Sequence, residues 1–326
     1  MAPRVRSFGR RALLVAALAL VPTGCGGHEA GTTARAEPDR PEGQDPDLAP
    51  TTTGPPSSAD GPVTVLAAGD IASCESEGDE QTAALLGRHQ GTVLTLGDAA
   101  YDRGEPSEFT ECYRPTWGGA LDRTRPVPGN HEYGTAGAQG YFDFFGSRAG
   151  APGKGWYSYD LGAWHVIALN SNCREVGGCD RGSEQERWLR ADLNQHRTRC
   201  TLAYWHHPRF SSGAHHGSQE HVRDLWQALY ETGADVVLSG HEHNYERFAP
   251  LDPTGTVDQA QGIREFVVGT GGRSLYPFDR PLPGSELRES DTYGVLQLTL
   301  NADGYDWQFL PVDGESFTDA GSDRCH

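Results

Sequence analysis

Residues 236–248 read VVLSGHEHNYERF. An apolar run meets Ser239-Gly240, and His241 and His243 follow two apart. In an extended chain, residues i and i+2 point to the same side, so the two imidazoles aim at one point. A polar pair in a surface turn would satisfy the same thirteen letters. The stretch decides more because other segments end the same way. Asp70 follows VTVLAAG (63–69), and Asp98 follows TVLTLG (92–97). Asn130 follows Pro126–Gly129, and His206 follows Cys200–Trp205. Helix-like stretches fall between them at Glu80–His89, Ser183–Gln195 and Gln219–Tyr230. The second of these opens on Ser-x-x-Glu, a capping pattern. Strands alternating with helices predict an α/β fold. The C-terminal strand ends of such sheets gather on one edge, where ligands bind.

Further strands are expected at Trp156–Asp160 and Trp164–Asn170, as a hairpin through Leu161-Gly162. Others are expected at Glu265–Val268, Val295–Leu300 and Tyr305–Leu310. Each polar strand-end residue alone reads as an ordinary turn residue. Together they bring two carboxylates, an amide and three imidazoles to successive strand ends. That mixed oxygen and nitrogen set lacks thiolate, which favours Fe, Mn or Zn over Ca, Mg or a cysteine-bound zinc. It exceeds what one catalytic ion needs. It suits two ions about 3.5–4 Å apart sharing one carboxylate.

The order of these blocks resembles the calcineurin-like metallophosphoesterases and, within them, a bacterial member of the purple acid phosphatase type. The blocks are Gly-Asp-Ile-Ala (69–72), Gly-Asp-Ala-Ala-Tyr (97–101), Gly-Asn-His-Glu (129–132), Ala-Tyr-Trp-His (203–206) and Gly-His-Glu-His (240–243). Tyr101, three after Asp98, marks the purple branch. The resemblance implies a four-layer α/β/β/α sandwich: two mixed β-sheets face to face, flanked by helices. It implies that Asp98 bridges two metal ions. Asp70, Asp98, Tyr101 and His243 would hold Fe(III); Asp98, Asn130, His206 and His241 would hold a divalent Fe, Zn or Mn. His131 would contact the substrate phosphate, as would His215 or His216, nine and ten residues after His206. His207 has no ligand place in the pattern. Glu242 is expected to point away from the metals and to matter less than either neighbouring His. Two departures stand out: Ala72 replaces the Gly of the usual Asp-x-Gly, and no span before the catalytic region is long enough for the β-sandwich domain of the plant enzymes.

The function implied is hydrolysis of small phosphomonoesters by a metal-bound hydroxide, with His131 and His215 or His216 steadying charge or protonating the leaving oxygen. A phosphodiesterase or nucleotidase on the same dimetal site is the nearest alternative. A non-catalytic metal- or phosphate-binding envelope protein is the alternative from another class.

Charge and composition narrow the partners. The 326-residue chain has a formal charge of −18, and Lys154 is its only lysine. Nucleic-acid binding needs a basic face, so none is expected. The first 24 residues hold Arg4, Arg6, Arg10 and Arg11, no acid, and a ten-residue apolar run, Ala12–Val21. That run is too short for a membrane span, which needs roughly 20 residues, and reads as an export signal over 1–24. Val21-Pro22-Thr23-Gly24-Cys25 resembles a lipoprotein lipobox, with Pro22 where Leu is usual. A lipid on Cys25 would be the one membrane attachment, and the protein is expected to be exported, as a cell-envelope lipoprotein or secreted. Residues 25–61 are rich in Gly, Pro, Thr and acidic residues and read as a disordered tether. Residues 62–326 form the expected catalytic domain. Six cysteines besides Cys25 suggest disulfides in an exported protein. They allow fifteen pairings. Cys173–Cys179 would close a small loop, Cys74 and Cys112 lie in the loops after the first two strands, and Cys200–Cys325 would tie down the C-terminus.

Overall fold

The structure is a computed structural model describing residues 61–326. The export signal expected over 1–24, Cys25 and the expected tether up to residue 60 lie outside the described residues. Thirteen strands run in chain order: β1 (Val63–Ala68), β2 (Thr92–Leu96), β3 (Thr124–Val127), β4 (Tyr157–Leu161), β5 (Trp164–Ala168), β6 (Cys200–Tyr204), β7 (Val236–Ser239), β8 (Tyr245–Phe248), β9 (Arg264–Val268), β10 (Ser285–Glu289), β11 (Gly294–Asn301), β12 (Gly304–Pro311) and β13 (Ala320–Arg324).

They form two mixed sheets with flanking helices. The first has the order β13-β12-β11-β1-β2-β3 and the second β10-β8-β9-β7-β6-β5-β4. In the first sheet β1, β2 and β3 are parallel. In the second β5, β6, β7 and β9 are parallel. Most residues of the parallel strands are buried, which is why β1, β2, β6 and β7 read as largely apolar runs. Within β5 the faces separate by the two-residue period: Val166 and Ala168 join the core shared with the first sheet. Ile167 and Leu169 join a second core under the helices Glu184–Gln195 and Arg223–Tyr230. Leu189 and Leu193, one turn apart on the first of these helices, and Leu225, Trp226 and Leu229 on the other, supply that cover.

The helix Glu184–Gln195 begins as its sequence predicts. Ser183 Oγ accepts the Glu186 N–H at 3.3 Å. The reciprocal half of the box is absent: Glu186 turns to the Gly182 N–H instead, at 2.9 Å. The helix expected over 219–230 is divided, a 3₁₀ turn at Glu220–Val222 preceding the α-helix Arg223–Tyr230. Four strands carry no clear sequence signal. β3 contains Pro126 and lies on a sheet edge, where a missing N–H is tolerated. β10 and β13 are polar edge strands, blunted in the way edges commonly are. β8 buries Glu246, whose carboxylate accepts from Ser212 N and Ser285 Oγ, so its polarity is internal rather than solvated.

The pairing, open among fifteen possibilities in the sequence, is Cys74–Cys112, Cys173–Cys179 and Cys200–Cys325, the bridges raised there as possible. Ala72, at the position of the usual Gly, is fully buried and bridges Ala100 without opening the turn.

Candidate metal centre

The parallel strands of both sheets end on one edge, and the candidate ligands follow directly. Asp70 comes after β1, Asp98 and Tyr101 after β2, and Asn130 after β3. His206 comes after β6, and His241 and His243 after β7. The first sheet therefore supplies every oxygen donor and the second every nitrogen donor. Asp70, Asp98 and His241 sit at φ 60°, 48° and 68°. Such left-handed backbone costs of order 1–3 kcal/mol per non-glycine residue and clusters at functional sites. Close packing demands glycine beside them. A Cβ on Gly129 would lie 2.1 Å from Asp98 Oδ1, and one on Gly97 would lie 2.5 Å from the His206 ring.

The donor atoms fall into two groups. In one, Tyr101 Oη lies 2.9 Å from Asp70 Oδ1, 3.1 Å from Asp98 Oδ2 and 3.2 Å from His243 Nε2. His243 Nε2 is also 3.2 Å from Asp70 Oδ1. In the other, His206 Nε2 lies 3.2 Å from the same Asp98 Oδ2, 3.1 Å from Asn130 Oδ1 and 3.2 Å from His241 Nδ1. Donors held about 2.1 Å from one ion at right angles stand about 3.0 Å apart, so both groups have the spacing of a coordination shell. Asp98 Oδ2 belongs to each.

The electrostatics fit cations. Asp70 and Asp98 are buried, and among the described residues no Lys or Arg pairs with either. Buried charge without a partner is costly. Burial works against the Asp98 carboxylate, yet His206 and His131 hold it well below the usual carboxylate range. Burial also opposes the charge on His206, but Asp98 and Asp70 raise it to about 9. His241 is driven far the other way by burial and by His206, His207 and His216. Burial, Asp70 and Asp98 push the Tyr101 phenol well above its ordinary value. Protons and imidazolium thus balance these anions, and two ions would take over that role.

The candidate ligand groups are oriented from behind. His206 Nδ1 donates to Leu96 O at 2.8 Å, and His243 Nδ1 pairs with Ser274 Oγ at 2.8 Å. Each contact leaves Nε2 facing the donors, the usual support of a metal-binding imidazole. Glu132 is fully buried, and its carboxylate accepts the N–H groups of Asp98 (2.9 Å), Ala99 (2.8 Å), Ala100 (3.3 Å) and Gly129 (2.6 Å). It ties the Asp98 loop to the Asn130 loop. Burial and the Asp98 charge raise its pKa.

His131 stands beside the donors. Its backbone N–H reaches Asp98 Oδ1 at 2.8 Å, and its ring Nδ1 faces Asp102 O at 2.5 Å. Nε2 is left 3.9 Å from Asp98 Oδ2. The His216 ring stacks on His241 at 4.1 Å. His215 stacks instead on Tyr276 at 4.0 Å, and Tyr276 on His243 at 4.0 Å. His207 is buried, with Nδ1 against Ser171 Oγ at 2.7 Å. A cavity of about 510 Å³ opens beside Asn130 and His241, bounded by Ser171, Arg174 and His221.

Sequence reasoning missed Glu132 as a clamp, and Ser274 and Tyr276 altogether. β9 is also parallel and also ends at this edge; its Gly-Thr-Gly-Gly end (269–272) leads into Arg273, Ser274 and Tyr276. The strand-end rule applied to Val268 would have reached them. Glu242 does point away from the donors, but it is fully buried and bonded, not idle.

Residues 63–245 match the family model described as calcineurin-like phosphoesterase. The chain is similar to purple acid phosphatase 15 of Arabidopsis thaliana, 28% identical over 258 residues, covering 67% of this chain and 46% of the relative. Purple acid phosphatase 21 of the same plant is 29% identical over 244 residues, covering 63% and 53%. The chain thus spans about half the length of the curated relatives it matches. Among solved structures, purple acid phosphatase PPD1 of yellow lupin superposes with a TM-score of 0.65 at 18% identity, covering 81% of this chain and 54% of that one. GAP50, the anchor in the inner membrane complex of Plasmodium, superposes with a TM-score of 0.64 at 12% identity, covering 81% and 89%. At these identities the structural likenesses speak for the fold.

Proposed function

The chain belongs to the calcineurin-like phosphoesterase family, and from that premise we propose that it is a dinuclear metal-dependent phosphoesterase: an exported acid phosphatase acting on small phosphomonoesters. One observation carries the reading. Asp98 Oδ2 stands within 3.2 Å of donors from both groups, as a bridging carboxylate must. Asp70, Asp98, Tyr101 and His243 would hold Fe(III), and Asp98, Asn130, His206 and His241 a divalent Fe, Zn or Mn. The phenol among the first group favours the purple type.

When bound, the ions supply Lewis-acid polarisation of the ester and a lowered pKa for water. The chain's own residues do the rest. Asp102 O accepts a hydrogen bond from His131 Nδ1, which leaves Nε2 as the ring atom that would face the phosphate or the leaving oxygen. His216 covers the His241 side of the centre. The cavity of about 510 Å³ beside that side has room for the alcohol portion of a small ester.

Export is supported by three disulfides in one chain, which form and persist in oxidising compartments. Among the described residues no helix is long and apolar enough to cross a membrane. Attachment would rest on a lipid at Cys25, and Cys25→Ser would release the protein from the membrane fraction.

The deciding experiment is metal analysis of the purified protein with parallel rates on an aryl phosphomonoester and an aryl phosphodiester. Two ions per chain and faster monoester hydrolysis support the proposal. Faster diester hydrolysis replaces it with a diesterase on the same centre. Two bound ions without hydrolysis of either ester would point to a non-catalytic role, since the GAP50 likeness shows this fold in a protein described as an anchor.

A further inference from the structure

Glu242 separates His241 from His243, yet its side chain leaves the donor groups and enters the protein on the far side. The carboxylate is fully buried. Its oxygens accept the backbone N–H groups of His215 (2.9 Å), His216 (2.7 Å) and Gly217 (3.1 Å). Among the described residues these three amides have no other acceptor. Successive N–H groups converging on one anion form a nest, here with an internal carboxylate as the anion. The fit leaves no slack: a Cβ on Gly213 would lie 2.0 Å from Glu242 Cγ.

The loop so held carries the two imidazoles that cover the centre. His216 stacks on His241 at 4.1 Å and 27°. His215 stacks on Tyr276 at 4.0 Å and 13°, and Tyr276 in turn on His243 at 4.0 Å and 6°. One carboxylate, planted between two candidate ligands, therefore sets where the covering histidines sit over both. The geometry points to Glu242 as the positioning residue of the His215–His216 loop: it tunes phosphate binding through that loop and is not needed for metal retention. The contacts of Glu242 run to the loop amides and not to the donor atoms. Removing it frees the loop and leaves Asp70, Asp98, Tyr101, Asn130 and His206 as they are. This step rests on the phosphoesterase reading for its ligand, inorganic phosphate, but not for the positioning itself.

The test uses the metal-loaded full chain and Glu242→Ala. Amide hydrogen exchange at residues 215–217 should speed up by about tenfold or more, the loss of a charge-assisted bond at each amide. β7, Val236–Ser239, should keep its protection. Metal per chain should stay unchanged. The dissociation constant for inorganic phosphate and the KM for an aryl phosphate should rise by about tenfold, with a smaller fall in kcat. Gly213→Ala presses on Glu242 from the other side and should give the same pattern, which covers the case where Glu242→Ala fails to fold. Unchanged exchange at 215–217, unchanged phosphate affinity, or loss of metal together with loop protection would each overturn the proposal. If the unmutated protein neither binds phosphate nor hydrolyses esters, the phosphoesterase reading fails instead, and the exchange data still decide the positioning role.

Discussion

Tyr101 and His206 come from loops of different sheets and meet at a single oxygen. Asp98 Oδ2 lies 3.1 Å from Tyr101 Oη and 3.2 Å from His206 Nε2. Asp98→Asn keeps the size of the side chain and removes its charge. The variant should lose most of both ions and on the order of a thousandfold in activity. Metal analysis alongside the rate checks this; a variant with two ions per chain and full activity would remove the bridging assignment.

Tyr101→Phe separates colour from fold. The phenol is held protonated by burial, Asp70 and Asp98, so only a strong Lewis acid would take its proton. In iron-loaded protein the variant should lose the visible phenolate-to-iron absorption. Its stability should fall by only about 1 kcal/mol, the worth of one hydrogen bond. An unchanged visible band would place the chromophore elsewhere.

Glu132→Gln tests the clamp. A carboxylate accepts four backbone N–H groups here, and an amide NH₂ cannot accept the ones it faces. Metal affinity should drop by roughly 10–100-fold, as for other groups that orient ligands. Titration of the apoprotein with Zn²⁺ or Mn²⁺ measures it.

His165 offers a pH signature far from the chemistry. It is fully buried, with Nδ1 2.9 Å from Asp160 Oδ1 and Nε2 2.8 Å from Asp192 Oδ2. Burial disfavours its charge, but Asp192 and Asp160 outweigh that and raise its pKa above 6.5. Burial also opposes Asp192, and His165 with Ser158 lowers it below 3.8. The raised His contributes stability fully below its unfolded pKa and loses it as pH rises through the folded value. The lowered Asp contributes above 3.8 and loses it as pH falls. His165→Leu should therefore cost most, roughly 3 kcal/mol, in the mildly acidic range between those limits, and least at alkaline pH. Melting curves of both proteins across pH show whether the gap narrows as pH rises.

The Cys200–Cys325 bridge joins the start of β6 to the C-terminus across 125 positions. Replacing both cysteines by Ser should lower stability by about 3 kcal/mol, within the usual range for a long loop. Denaturant unfolding measures this, and metal content should be unaffected, because the bridge lies at the opposite end of β6 from His206.

Much of this architecture was legible because parallel strands buried on both faces must be apolar, and the polar residue that ends them stands out. Asp70, Asp98, His206 and His241 were readable for that reason, and Asn130 from the glycine turn that precedes it. β8 was not, because its charged residues find partners inside the fold: Glu246 accepts from the Ser212 N–H and Arg247 donates to Asp319. The Glu132 clamp and the Glu242 nest were hidden for a different reason. Each acts through backbone amides brought together only by the fold, and amides leave no mark in a sequence. Glu242 shows the limit well: it does point away from the donors as expected, but not by strand alternation, since β7 ends at Ser239 and His241 is left-handed, and nothing in the sequence said what lay on the other side.

The division of donors between sheets has a further consequence. The candidate oxygen ligands ride on one sheet and the candidate nitrogen ligands on the other, so a metal centre built from them would work as an alignment gauge for the whole sandwich. Tyr157 Oη, from the second sheet, donates to Pro126 O in the first at 2.8 Å, and Tyr204 Oη reaches Arg125 O at 3.3 Å. These ties fix the slide between the layers. A misplacement of about 1 Å is enough to cost on the order of a hundredfold in a reactive site. Loosening the interior would therefore show first as weakened metal binding, while the fold as a whole still held.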